Sequence, residues 1–173
     1  QIGGPSVMPP QPGGIWKSTY SGEKWKNAIG KDRYRRGIYT YRKRTSPYPA
    51  MTTFDAGSGE VCQIRRVRTN TPLQALVILN DTAFVEAAGS LAKKMETEPG
   101  SVRQKIAVGF RIVLVRDATP AELDRLVILY DSLEKKLLNQ ESLLKAAGRQ
   151  SGDARLTTVA NVLLNLDETL MKP

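Results

Sequence analysis

Three times between residues 71 and 122 a Thr or Ser is followed three positions later by Gln or Glu: Thr71–Gln74, Ser101–Gln104 and Thr119–Glu122. In such a box the hydroxyl accepts an orphan amide of the first helical turn. The Gln or Glu reaches back to the cap residue, a local stabilisation of about 1 kcal/mol. Pro72 and Pro120 add a proline at the first helical position, where a missing N–H is harmless. The boxes therefore fix three helix starts before any long-range contact is considered.

Apolar spacing fills in the rest. The Thr71 box predicts a helix burying Leu73, Leu76 and Val77. Asn80-Asp81 breaks it and caps a second run with Phe84, Ala87, Ala88, Leu91 and Met95 at helical spacing, ended by Pro99-Gly100. After Ser101 the stripe is Val102, Ile106, Phe110, Val113 and Leu114. After Thr119 it is Leu123, Leu126, Val127, Tyr130, Leu133, Leu137 and Leu144, reaching to about Gly148. Asp153 caps a last helix burying Leu156, Val159, Ala160, Leu163, Leu166 and Leu170. Residues 71–173 are thus predicted to form a mainly α fold, a helical bundle of four to five amphipathic helices with short connections.

Residues 1–70 are chemically different. They hold 13 basic and 4 acidic residues, a net of +9, whereas residues 71–173 hold 13 of each. The whole charge excess of the chain therefore lies ahead of the helices. Eight of the eleven aromatic residues and six of the ten prolines lie there too. Pro and Gly predict an extended segment over residues 1–14 and a loop over residues 45–60. Residues 15–30 are ambiguous, with room for a helical turn after Ser21 ending near Gly30. Residues 33–44 read equally as a strand, through Ile38-Tyr39-Thr40-Tyr41, or as a helix face of Tyr34, Ile38 and Tyr41. The expectation is an irregular basic arm over residues 1–70 that packs on the bundle and covers it with its aromatics.

Residue types exclude several chemistries. With no His and one Cys, the chain has no Ser-His-Asp or Cys-His pair, no His-ligated zinc, no CxxCH haem attachment and no internal disulfide. No apolar run of about 18 residues is present, so no membrane span is expected. No Gly-rich phosphate loop or common hydrolase motif occurs either.

Four features are candidates for function. Arg33, Arg35, Arg36, Arg42 and Arg44 interleave with Tyr34, Tyr39 and Tyr41, residue types that bind phosphates or sulfates and stack on sugars or bases. Arg65, Arg66 and Arg68 precede the Thr71 cap, where a helix N-terminus also favours anions. Against both stands internal pairing within the fold. Cys62 beside Arg65 and Arg66 is a candidate thiol, with a buried inert thiol as the plainer reading. The carboxylate pairs Asp55/Glu60 and Asp167-Glu168 lack metal-ligand spacing and read as structural or solvated. No metal site and no cofactor are expected.

The run Asp32-Arg33-Tyr34-Arg35-Arg36-Gly37-Ile38-Tyr39-Thr40, then Arg44-Thr45-Ser46-Pro47-Tyr48-Pro49, closely resembles one family. So do Thr53-Phe54-Asp55-Ala56, Glu60-Val61-Cys62, Arg65-Arg66, and Arg68-Thr69-Asn70-Thr71-Pro72-Leu73-Gln74-Ala75-Leu76 with Leu79-Asn80-Asp81. Val162-Leu163-Leu164-Asn165-Leu166-Asp167-Glu168 extends the likeness. The family is the planctomycete-type PSD domain of unknown function, found in large proteins that often carry a cytochrome-c-like domain upstream. The resemblance implies the C-terminal part of a larger bacterial protein in a periplasmic, envelope or secreted setting, with the upstream region as a partner. One departure stands out: the family pattern has a Pro and an Arg after Asp55-Ala56, and this chain has Gly57-Ser58-Gly59-Glu60. The leading expectation is a non-catalytic structural or interaction domain. The alternative is a polyanion-binding module for an acidic or sulfated glycan, with nucleic acid disfavoured. A third reading is part of an enzyme completed by the upstream region.

Overall fold

The structure, a computed structural model, describes residues 2–11, 24–43, 46–56, 64, 69–138 and 153–171. The chain divides into two compact units, Gln1–Gln74 and Ala75–Pro173. The described elements are two 3-10 turns, Gly30–Tyr34 and Gly37–Tyr39, and seven α-helices. We number these α1 (Pro49–Thr53), α2 (Pro72–Asn80), α3 (Thr82–Thr97), α4 (Val102–Leu114), α5 (Pro120–Leu138), α6 (Ala154–Leu164) and α7 (Asp167–Leu170). The chain is mainly helical, as the sequence predicts.

The described residues of the 33–44 segment, 33–43, form neither of the two elements weighed for it. Two 3-10 turns occupy the segment, and the extended pairing among the described residues shrinks to one parallel bridge between Val7 and Thr40. Hydrogen bonds from Val7 N–H to Tyr39 O (2.8 Å) and from Tyr41 N–H to Val7 O (2.7 Å) tie the N-terminal strand-like stretch to this segment. Residues 24–29 hold no helix, and Ala28 N–H instead donates to Met8 O at 2.7 Å. The loop expected over residues 45–60 contains the single helical turn α1, started by Pro49 at its first position.

In the second unit the predicted caps are formed. Asp81 accepts from Ala83 N–H (2.8 Å) and starts α3, and Ser101 and Gln104 make the reciprocal box of α4. Thr119 and Glu122 do the same for α5, with Thr119 N–H donating to Glu122 Oε2 at 2.8 Å. Asp153 accepts from Arg155 N–H (2.9 Å) and starts α6. The single last helix expected there is two: backbone at Asn165 leaves the helical path, and α7 begins after Leu166. Leu144 and Gly148 fall outside the described residues.

Helix α6 packs against α3, α4 and α5, and α4 also meets α3, α5 and α7. The core interleaves Ala88, Leu91, Ala92 and Met95 of α3 with Ile106 and Phe110 of α4. Leu126 and Tyr130 of α5 and Leu156, Val159, Ala160 and Leu163 of α6 complete it. Burying a side chain such as Phe110 contributes about 1.5–3 kcal/mol. Gly109 lets α3 and α4 approach: a Cβ there would sit 2.6 Å from Met95 Sδ.

Helix α2 corrects one sequence expectation. Its inward residues are Gln74 and Ile78, one turn apart, whereas Leu73 and Leu76 are more than half exposed (56% and 57%). The apolar count of this helix is high on every side, so hydrophobicity alone could not choose a face. The polar contacts of Gln74, described next, choose it.

Candidate functional site

The basic segment is assembled by side chains reaching to main-chain carbonyls. Residues 5, 9 and 10 are prolines, which offer an acceptor and no donor. Arg35 Nη1 donates to Pro5 O at 3.0 Å, and its Nη2 donates to Gly3 O. The same guanidinium lies 3.8 Å from the Tyr39 ring centroid. Tyr39 Oη in turn accepts from Gly3 N–H at 2.9 Å. Trp25 Nε1 donates to Pro9 O (2.9 Å), Tyr48 Oη donates to Pro10 O (3.0 Å), and the two rings stack with centroids 5.6 Å apart.

The anion-binding candidates therefore separate. Arg35 is committed to the fold. Arg33 is half-buried with its guanidinium 5.5 Å from the Tyr34 ring centroid. Arg36 and Arg42 are exposed, Tyr34 is exposed and Tyr41 is half-buried. Arg44, Arg65, Arg66 and Arg68, the thiol of Cys62 and the carboxylate of Glu60 lie outside the described residues. Over residues 24–43 the sequence has eight Lys and Arg against one acidic residue, Asp32, a net of +7. Exposed in the same stretch are Ile29 and Ile38.

A second polar cluster surrounds Gln74, whose residue is 2% exposed. Its Oε1 accepts from Thr71 N–H (2.9 Å), closing the capping box. Its Nε2 donates to Thr53 O (2.9 Å) and Thr69 Oγ1 (3.0 Å) and lies 3.3 Å from Asp55 Oδ2. Asp55 Oδ2 also accepts from Thr69 N–H (2.8 Å) and Thr69 Oγ1 (2.7 Å). Those hydrogen bonds from Thr69 hold the Asp55 carboxyl below its ordinary pKa, and partial burial offsets some of the effect. Asp55 sits in the left-handed region at φ 55, a conformation that Asp tolerates better than most residues. The cluster pins the end of α1 to the start of α2. It gives Asp55 a positioning role in the fold, with its Oδ2 turned toward the chain itself.

The third cluster was not visible as such in the sequence. Arg116, between α4 and α5, grips Glu122 (2.8 and 3.1 Å) and Glu168 (2.8 and 2.7 Å), and lies 4.8 Å from the Phe110 ring centroid. Hydrogen bonds to the two carboxylates push the Arg116 pKa further up. Glu122 is held down at about 2, first by Arg116 and then by Thr119 N–H. Glu168 is lowered by Arg116 as well. The pattern sets one positive charge between two negative ones and ties α7 to the α4–α5 corner. Glu168 thus works across the fold, where the sequence showed only an adjacent carboxylate pair.

Near the start of α6, Asp153 accepts from Tyr130 Oη and from Arg155 N–H. Burial pushes its carboxyl up, but the hydrogen bonds from Tyr130 and Arg155 outweigh it and leave the pKa below the ordinary value. The Arg155 guanidinium covers the Tyr130 ring at 4.4 Å. Among the described residues no group of three or more His, Cys, Asp or Glu is placed to hold a metal ion.

Residues 1–130 match the PSD1 family, described as a protein of unknown function (DUF1553). The match covers well over half of the chain, and the chain belongs to this family. Neither the curated proteins nor the solved structures contain a match.

Proposed function

We propose that this chain is a non-catalytic interaction domain that docks through the basic surface of its N-terminal unit. One observation carries the reading. All four described isoleucines of that unit, Ile2, Ile29, Ile38 and Ile64, are 84–107% exposed, within a sequence of strongly positive charge. Isoleucine is among the most consistently buried residue types, so four of them left outside mark a surface that something else covers. Two of the described polar groups of the unit support the same reading. Oδ2 of Asp55 and the Nη atoms of Arg35 are hydrogen-bonded to the chain's own amides, hydroxyls and carbonyls.

The family resemblance supports a wider setting for the domain: a larger exported or envelope protein of planctomycete type, with a cytochrome-c-like region upstream. The upstream polypeptide is then a first partner to test. The polyanion reading is a second, favoured by the exposure of Arg36 and Arg42. Limited proteolysis of residues 24–43, alone and with the upstream polypeptide added, reports docking directly. Retention on heparin at about 50 mM and 500 mM salt reports the polyanion reading, because phosphate-like and sulfate-like contacts weaken steeply with salt. Protection or salt-sensitive retention is the expected result. Unchanged cleavage together with no heparin retention and no binding to anionic vesicles overturns the interaction-domain reading.

A further inference from the structure

Three features of the N-terminal unit discriminate between kinds of partner. First, three of its described aromatic rings, Trp25, Tyr48 and Tyr39, already have a face occupied. Trp25 and Tyr48 stack on one another, and Arg35 covers Tyr39. A glycan or single-stranded nucleic acid depends on open ring faces for stacking. Second, the strongly exposed apolar groups are mostly aliphatic: Ile2, Ile29, Ile38 and Ile64. A branched hydrocarbon gains nothing from a sulfate or phosphodiester but gains from an acyl chain. Third, the exposed cations near Ile29 and Ile38 in sequence include Lys24, Lys26 and Lys31 with Arg36 and Arg42. Lysine is depleted in protein–protein interfaces. As a mobile point charge it suits a diffuse layer of anionic headgroups.

From this juxtaposition we infer that the N-terminal unit adsorbs to an anionic lipid bilayer surface. The isoleucines enter the acyl boundary, and the surrounding Lys and Arg meet headgroup phosphates. The inference rests on the interaction-domain reading and names its partner. The carrier segments are tied together: Gly3 N–H binds Tyr39 Oη, Ala28 N–H binds Met8 O, and Val7 bridges Thr40. Ile2, Ile29 and Ile38 are therefore presented by one hydrogen-bonded substructure, so little order must be gained on adsorption. Charge and apolar contact are both required. Neither a polybasic stretch nor a few exposed side chains gives firm attachment alone.

The test is co-sedimentation of the full chain with vesicles of phosphatidylglycerol and phosphatidylcholine in equal parts, against pure phosphatidylcholine, at about 50 and 500 mM salt. Binding to the anionic vesicles alone, weakened by salt, is expected. Each near-surface cation multiplies partitioning by about fivefold, so K24Q/K26Q/K31Q should reduce it about 100-fold. I29S/I38S should reduce it at least tenfold at low salt. Both variants change exposed side chains, and Trp fluorescence checks that the fold is kept. Should one variant fail that check, the other still decides. No sedimentation with anionic vesicles at low salt overturns the inference. So does wild-type binding by a folded I29S/I38S, or equal binding to both vesicle types. Salt-sensitive heparin retention without vesicle binding overturns the membrane partner while leaving the interaction-domain reading in place.

Discussion

Replacing Gln74 with Leu tests whether the polar cluster, rather than hydrophobicity, sets the inward face of α2. Leucine keeps the volume close and is a good helix former, so propensity changes little. What disappears is the set of hydrogen bonds to Thr71 N–H, Thr53 O and Thr69 Oγ1. The cap bond accounts for about 1 kcal/mol. An orphaned, partly buried amide or carbonyl costs about 1–3 kcal/mol each, taken here near the low end. The expected loss is about 2–4 kcal/mol. The control is built into the chain. Gln104 makes the same box with Ser101, but its bonds are exposed, so Q104L should cost below about 1 kcal/mol. Urea unfolding read by Trp fluorescence reports the first unit, because both tryptophans, Trp16 and Trp25, precede residue 75. Far-UV circular dichroism reports mainly the helices that follow. With a slope of about 2 kcal/mol per molar, Q74L should lower the fluorescence midpoint by roughly 1–2 M. Equal losses for Q74L and Q104L would refute the reasoning, since burial and the added donor bonds of Gln74 to Thr53 and Thr69 are what separate the two boxes.

Other outcomes follow from the same geometry. Glu122 and Glu168 have lowered pKa values in the folded chain. The stabilisation from Glu122 is therefore complete above the unfolded value near 4.5 and is lost as pH falls toward about 2, and that from Glu168 is lost in the same direction. A far-UV acid titration should show the helical unit melting in that window, and R116M should melt at higher pH; an unchanged midpoint would count against the Arg116 hub. G109A sets a helix-propensity gain of about 1 kcal/mol against an overpacking cost of about 1–3 kcal/mol at buried Met95. A net loss near 1 kcal/mol is expected in the wild type and a net gain in an M95A background, measured as a double-mutant cycle in urea. Val115 closes α4 at φ 60 and is 79% exposed. V115G should raise stability by about 0.5–1 kcal/mol, because a β-branched residue is disfavoured in that conformation.

The helices were legible because their starts are local. Thr71, Ser101 and Thr119 each meet a partner three residues away, and such contacts need nothing from the rest of the fold. The end of the last helix at Asn165 was not legible, since the apolar spacing runs on through Leu166 and Leu170. The short helix after Tyr48 had one signal, Pro49, that outweighs the surrounding loop composition. Residues 33–44 resisted reading for a different reason. Their path is set by Arg35 reaching Gly3 and Pro5 across some thirty residues and by the bridge from Val7 to Thr40. Local propensity holds no record of such contacts. In the candidate site, the exposed arginines could be nominated from sequence, but the commitment of Arg35 to internal carbonyls and the exposure of every described isoleucine in that unit could not. Thr69 and Arg116 went unnoticed because each becomes meaningful only beside residues distant in sequence, Asp55 for one and Glu168 for the other.

The carbonyls of Pro5, Pro9 and Pro10 are held by donors on side chains, from Arg35, Trp25 and Tyr48. Three positions of this stretch therefore own no amide hydrogen at all, and the bonds that order it consume few of those that remain. Amide hydrogen exchange would record this segment as protected at few positions, Gly3 and Val7 among them, even when fully in place. Its order is instead written in optical asymmetry: the stacked indole and phenol of Trp25 and Tyr48 should give a near-UV dichroism signal. That signal will vanish when the segment detaches, while deuterium uptake rises at only a few amides, those of Gly3, Val7, Ala28 and Tyr41.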